Sequence, residues 1–245
     1  MRNLTATICL TIAVLLGSAG VSWGGDWEKG KSAYLNGNYL LALEKLTPLA
    51  NGRFVGAQIL LAQIFSSGGN GVTKNAVKAA KYYELAAKQG LLNAQYNTAA
   101  IYSKGRGVLQ DFKAAKYWYT KCAEQKSVTQ NQPVPLVLCR HFLAMMYYEG
   151  TEIPQNYPKA KFWFLKAAEL GAQSSMKNLG VMYANGEGAL QDHVSAHMWF
   201  NIAASMGEKN ADKYRDKIAK SMTTSQIAEA QKLARECVKK NYKGC

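Results

Sequence analysis

Residues 160–171 read Ala-Lys-Phe-Trp-Phe-Leu-Lys-Ala-Ala-Glu-Leu-Gly, and their spacing decides the fold. The skeleton is Ala160, Trp163, Ala167, Ala168 and Gly171. Thirty-six residues later it returns as Ala196, Trp199, Ala203, Ala204 and Gly207. Upstream it appears as Ala115, Trp118, Cys122, Ala123, and before that as Ala79, Tyr82, Ala86, Ala87, Gly90. Small residues at i, i+7 and i+8 with an aromatic at i+3 share one face of a 3.6-residue helix. The small side chains admit a neighbouring helix and the ring fills the space beside them. A fixed period of this length predicts stacked helix pairs, because one pair cannot bury its apolar face alone.

A second helical motif precedes each copy. It runs Ala57-Gln58-x-x-Leu61-Ala62-x-x-Phe65, then Ala94-Gln95-x-x-Thr98-Ala99-x-x-Tyr102. The third version is Cys139-Arg140-x-x-Leu143-Ala144-x-x-Tyr147 and the fourth is Ser175-Met176-x-x-Leu179-Gly180-x-x-Tyr183. A glycine-containing turn follows each motif, at Gly69, Gly105, Gly150 and Gly186. Asn75, Asp111, Asn156 and Asp192 then share one position suited to starting the second helix. The units are assigned to 56–90, 91–126, 136–171 and 172–207. The phase breaks mainly at 125–135, a polar stretch with Pro133 and Pro135, where nine extra residues predict a protruding loop.

With these motifs in place, the pattern A-Q-x-x-L-G-x-x-Y-x-x-G-x-G-V followed by A-x-x-W-x-x-x-A-A-x-x-G resembles the Sel1-like repeat, a relative of the tetratricopeptide repeat. The resemblance covers about residues 56–207. It implies an all-α, αα-repeat solenoid, a right-handed superhelix with its first helices on a concave face, acting as a scaffold for protein–protein interaction. Relatives rich in cysteine carry disulfides from the end of one unit to the start of the next, which implies a similar bridge here. Cys122 and Cys139 depart from the pattern by one register at both ends.

The flanks read differently. Residues 1–24 have the layout of a signal peptide: Arg2 supplies a basic start, Leu4 to Leu16 is uncharged and mostly apolar, and small residues follow. Cleavage after Gly24, with Ser22 at −3, or after Gly20, with Ser18 at −3, fits, the first being preferred. Cys9 has no lipobox around it, so no lipid anchor is expected. The expected location is therefore the periplasm or the exterior, with no stable membrane insertion. Without Cys9 four cysteines remain, an even number suited to an oxidising compartment. Closeness along the chain predicts the pairs Cys122–Cys139 and Cys237–Cys245. Residues 25–55 read as a degenerate helix pair with a turn at Asn36-Gly37-Asn38 and a disturbance at Pro48. Residues 208–245 read as capping helices, with a capping box at Thr223-Thr224-Ser225-Gln226.

Chemistry is scarce. Gly25-Asp26-Trp27-Glu28-Lys29-Gly30-Lys31-Ser32 spells a phosphate-loop pattern, yet no buried strand precedes it and no βαβ alternation follows. His193 and His197 are four apart like a metal pair, but no third ligand lies near them in sequence. Ser174-Ser175-Met176-Lys177 spells Ser-x-x-Lys without the companion motifs of penicillin-interacting enzymes. Trp118, Trp163 and Trp199 hold a fixed place in their units, which assigns them to packing. No cofactor and no enzymatic activity are expected. The net charge of +14 is spread over many repeats, with no nucleic-acid-binding pattern, so nucleic acid is not the expected partner. The positions packing leaves over are Asn97, Phe142 and Asn178, then Lys104, Glu149 and Asn185, with His141 beside them. These are the candidate concave-face binding residues for a protein partner. The alternative is a cell-wall-associated protein that uses its charge to bind or weakly modify peptidoglycan or another anionic envelope polymer. A host-contact role is what the resemblance sometimes implies.

Overall fold

The computed structural model describes residues 23–126, 133–151 and 153–245, and in these it forms twelve helices. They divide into two compact units, one ending at Lys74 and one running from Asn75 to Cys245.

The first unit holds α1 (Trp23–Leu35), α2 (Tyr39–Asn51) and α3 (Val55–Ser67). Asn38 caps α2, its side chain accepting from the Leu41 amide. The phosphate-loop look-alike lies wholly within α1, where its amides belong to helix turns. Gly30 is there for a different reason: a Cβ on it would come within 2.6 Å of Leu46 Cδ2, so its bareness lets α1 lie against α2. α2 runs on through Pro48 to Asn51, so the expected disturbance at Pro48 does not end the helix. α1 also starts at Trp23, so cleavage after Gly24 would remove part of its first turn.

The second unit alternates first and second helices. These are α4 (Ala76–Lys88), α5 (Leu92–Lys104), α6 (Phe112–Ala123), α7 (Pro133–Glu149), α8 (Tyr157–Ala168), α9 (Gln173–Asn185) and α10 (His193–Ser205). Each packs on the next in chain order, and α5 also touches α7, which makes an αα-repeat solenoid. α11 (Ala211–Ala219) and α12 (Thr224–Lys239) both pack on α10. The capping box at Thr223 and Gln226 is formed, and Ala230, Ala234 and Cys237 are buried on the inward stripe of α12.

The second helices start as their sequence dictates. Asn75, Asp111 and Asn156 accept from the amides of Lys78, Ala114 and Lys159 at 2.9 Å, and Asp192 accepts from Val194 and Ser195. The preceding turns are latched by a residue the pattern did not single out. Gln110, Gln155 and Gln191 each donate to the carbonyl seven residues back, on Ser103, Tyr148 and Ala184, at 2.8 to 2.9 Å. The second glycine of the turn has a steric role. A Cβ on Gly107, at φ +79°, would sit 2.2 Å from the Ala76 carbonyl carbon, and one on Gly188 would meet Tyr157. These two turns thus abut the start of an earlier second helix.

One expectation needs correction, and one residue packs less deeply than its counterpart. α7 already begins at Pro133, so the loop expected over 125–135 gives its last three residues to the helix; a proline in the first turn costs no hydrogen bond. Residues 127–132 of that expected loop lie outside the described residues. Trp163 is only half-buried, whereas Trp199 is fully buried. Beside Trp163, Phe164 is fully buried among Ala160, Ala168, Met176 and Leu179, and the residue after the ring is buried in every unit. The ring of Trp163 is left to pack on the rim.

Cys122 and Cys139 lie at bridging distance with Cα atoms 5.9 Å apart, and Cys237 and Cys245 with Cα atoms 5.5 Å apart. The first closes a separation of 17 residues, for which the chain-entropy model gives about 3 kcal/mol. Two outcomes are expected. Cys122→Ser with Cys139→Ser lowers the unfolding free energy by about 3 kcal/mol in denaturant titration, and Gly107→Ala lowers it by ~2 kcal/mol through the clash and the positive φ.

Candidate functional site

The sequence candidates divide into those that converge and those that do not. His141, Phe142 and Glu149 line one cavity of about 250 Å³ together with Ser103, Phe112, Tyr119, Met145, Met146, Thr151 and Ile153. Asn178 sits behind it, its side-chain amide donating to Met145 Sδ at 3.3 Å. Asn97 turns back on its own helix and donates to the Asn93 carbonyl. Lys104 and Asn185 are exposed and line no part of this cavity; Asn185 donates to Glu187.

An aromatic group forms one wall. Phe142 stacks on Tyr119 at 5.7 Å and 24°, and Tyr96 lies 6.2 Å from Phe142 and 6.3 Å from Tyr119. Offset ring pairs of this kind are favourable beyond their buried area. Phe142 nevertheless keeps 36% of its surface exposed, while Tyr119 keeps 3%. Burial raises the Tyr119 phenol well above its ordinary value, with the neighbouring Tyr96 adding to it, so it is a neutral donor and not a base. Sequence reasoning missed Tyr96 and Tyr119. The signal for Tyr119 was present: Tyr83, Tyr119, Phe164 and Phe200 give every unit an aromatic right after its tyrosine or tryptophan, and all four are buried.

His141 closes the inner end. Its Nδ1 lies 2.9 Å from Ser175 Oγ, and its ring meets Phe142 edge-on and Phe164 at a tilt. Burial lowers its pKa; Glu208 pulls the other way and Lys177 adds to the lowering. The histidine–serine pair is not a nucleophile and base, since Ser175 is fully enclosed. Ser174 and Lys177, the ends of the Ser-x-x-Lys motif, both donate to Glu208, at 2.9 and 2.6 Å. Burial opposes ionisation of Glu208, but the hydrogen bonds from Lys177 and Ser174 outweigh it and hold the carboxyl below its ordinary range. The motif is thus consumed in an ion pair.

The metal-like histidines also part company. His197 is 3% exposed with no partner for Nδ1 among the described residues, and His193 reaches Ser221 Oγ at 3.3 Å. Among the described residues no group of three His, Cys, Asp or Glu side chains is placed to hold a metal. No helix among them is long and apolar enough to cross a membrane.

The family model for the Sel1 repeat matches at 55–91, 92–127, 137–171 and 173–208, more than half of the chain. The chain belongs to the Sel1 repeat family, whose members are typically non-catalytic scaffolds for protein–protein interaction. No curated protein matches it. Among solved structures, a Sel1 repeat protein from Oxalobacter formigenes is similar at 26% identity and a TM-score of 0.65, with 83% of each chain covered. So is c5321, a protective antigen of uropathogenic Escherichia coli strains with an SLR fold, at 25% identity and a TM-score of 0.71. That alignment takes in 90% of this chain but 47% of the other, so this protein spans about half its length.

The buried histidines set a pH dependence. Burial holds His197 below the ordinary 6.5, with Arg215 adding to the lowering and Asp216 opposing it. A base depressed in the fold stays neutral there while the unfolded chain takes up a proton below pH 6.5, so stability falls as the pH drops from that point. His141 acts in the same direction. Tm should be level from pH 8 to 7 and fall on acidification from about pH 6.5, and His197→Leu should flatten that fall; the depressed carboxyls of Asp192 and Glu208 act only below about pH 4.5.

Proposed function

We propose that this protein is an exported Sel1 repeat scaffold that binds a protein partner through the cavity lined by Phe142, His141 and Glu149. The observation that carries this is the stacked wall of Tyr119 and Phe142, backed by the tilted ring of Tyr96, in which Phe142 stays partly open to solvent. A space of about 250 Å³ suits one large anchoring side chain from a partner better than a whole small-molecule substrate. Of the hydroxyls beside His141 and Phe142, Ser175 is enclosed and the Tyr119 phenol is held neutral, so neither is an activated nucleophile. Export is supported by the layout of residues 1–24 and by four later cysteines standing as two pairs at bridging distance.

N-terminal sequencing of the secreted or periplasmic protein should begin at Gly25. A photo-crosslinking residue at position 142 should trap a protein partner that the same residue at the exposed Leu190 does not. Phe142→Ala should weaken that partner's binding at least about tenfold. Because the ring is only partly buried, it should lower stability by ~1–2 kcal/mol, against ~3–5 for the enclosed Phe164→Ala. Retention on isolated sacculi that resists salt, with no protein trapped at 142, would instead favour the peptidoglycan-binding reading.

A further inference from the structure

A different face of the second unit carries a pattern that the cavity does not use. α6 and α8 each contain three lysines and no carboxylate: Lys113, Lys116 and Lys121, then Lys159, Lys161 and Lys166. The carboxylates Asp111, Glu124 and Glu169 sit at or beyond the helix ends, and Glu169 pairs with Lys166. Each helix also presents an aromatic ring to solvent, Tyr117 at 53% exposure and Phe162 at 50%. The two rings hold the same pose. Tyr117 meets Trp118, and Phe162 meets Trp163, at 5.0 Å and 79° in both cases. Lys116 and Lys159 approach one ring, that of Tyr147, at 5.7 and 5.4 Å, so the lysines of α6 and α8 border one continuous surface.

We infer that the α6–α8 face docks on an anionic lipid surface, with Lys113, Lys121 and Lys159 over the headgroup phosphates and the rings of Tyr117 and Phe162 at the interface. A solvated face needs no exposed aromatics braced identically one unit apart. A sugar polymer would need amide or carboxylate side chains to sort its hydroxyls, and α6 and α8 offer none. Lysine supplies charge without directional matching, which suits a fluid surface of phosphates. Aromatic rings beside lysines suit the boundary between headgroups and chains. This is attachment without insertion. It rests on the export reading only for meeting such a membrane, and it makes no use of the Phe142 cavity.

The test is sedimentation of the mature chain with phosphatidylcholine vesicles with and without phosphatidylglycerol. Binding is expected only with phosphatidylglycerol, falling as salt rises. Removing Lys113, Lys121 and Lys159 together (each →Gln) should weaken it roughly fivefold per lysine, about a hundredfold in all. Tyr117→Ser with Phe162→Ser should weaken it at unchanged charge, and Phe142→Ala should leave it unchanged. The matched control, Lys217→Gln, Lys232→Gln and Lys239→Gln on α11 and α12, removes the same charge elsewhere and should bind like the unaltered protein; circular dichroism checks that each variant is folded. Equal loss in both lysine sets would mean diffuse attraction and overturn the inference. So would equal binding to neutral vesicles, or retention on sacculi with none on phosphatidylglycerol.

Discussion

The structure depends on the seam where one helix pair ends and the next begins. The last carbonyls of a helix lack the amide that would continue its ladder, and at a packed seam turn amides and side chains take its place. In the first three units the second residue of the first-helix motif adds a side-chain donor to them; Met176 of the fourth has none to give. In the first unit Gln58 donates to the Ala50 carbonyl at 3.0 Å, and in the second Gln95 donates to that of Ala87 at 3.4 Å. Such reach is possible only because the residues between are small: Ala50, Ala57, Ala87 and Ala94 are all buried, with no side chain to hold the helices apart. The recurring alanines and the glutamine are therefore one device.

The third seam shows what happens when that device is stretched. Nine extra residues lengthen the connection, and the pieces are replaced by stronger ones. Arginine stands where glutamine did, and Arg140 donates to the Ala123 carbonyl at 3.2 Å and, with another nitrogen, to that of Lys166 at 3.0 Å. One side chain thus serves the ends of α6 and α8, where a cation also matches the helix dipoles. The small pair becomes Cys122 and Cys139, a contact close enough to bridge. A longer tether gives the two helices more freedom when apart, and the bridge removes that freedom.

How much of this was legible follows from what each feature needs. Period, helix starts and cysteine pairs are local or periodic, and the sequence carries them openly in Trp199, Asp111 or Cys237. The latch of Gln110, Gln155 and Gln191 was equally regular but reads as ordinary turn polarity until the carbonyl it meets is seen. Trp163 packs on the core as its repeat position implies, but less deeply than Trp199, because a fixed position in a repeat fixes direction and not depth. The cavity was half visible. Phe142 and His141 stood out as positions that packing leaves over, whereas Tyr119 looked like core. It is core on one side and wall on the other, and that double role exists only once α6 and α7 are side by side. Asn97, Lys104 and Asn185 share repeat positions with the converging residues, but the stretched third seam and its turn are where the cavity opens.

That coincidence has a physical basis. Tyr119 lies three residues before Cys122 and Phe142 three residues after Cys139, so the bridge stands about one helical turn from both stacked rings. The spacing of α6 and α7 that the bridge fixes is the spacing the ring stack requires. In the regular seams alanines set that distance by close packing alone, and the connection is too short to let it drift. At the third seam the long connection would let it drift, and the covalent link restores it. The departure from the repeat and the stiffness of the cavity wall are thus two consequences of one substitution pair. The ring stack and the cysteine contact therefore share one pair of helices, and whatever fixes the distance at one fixes it at the other.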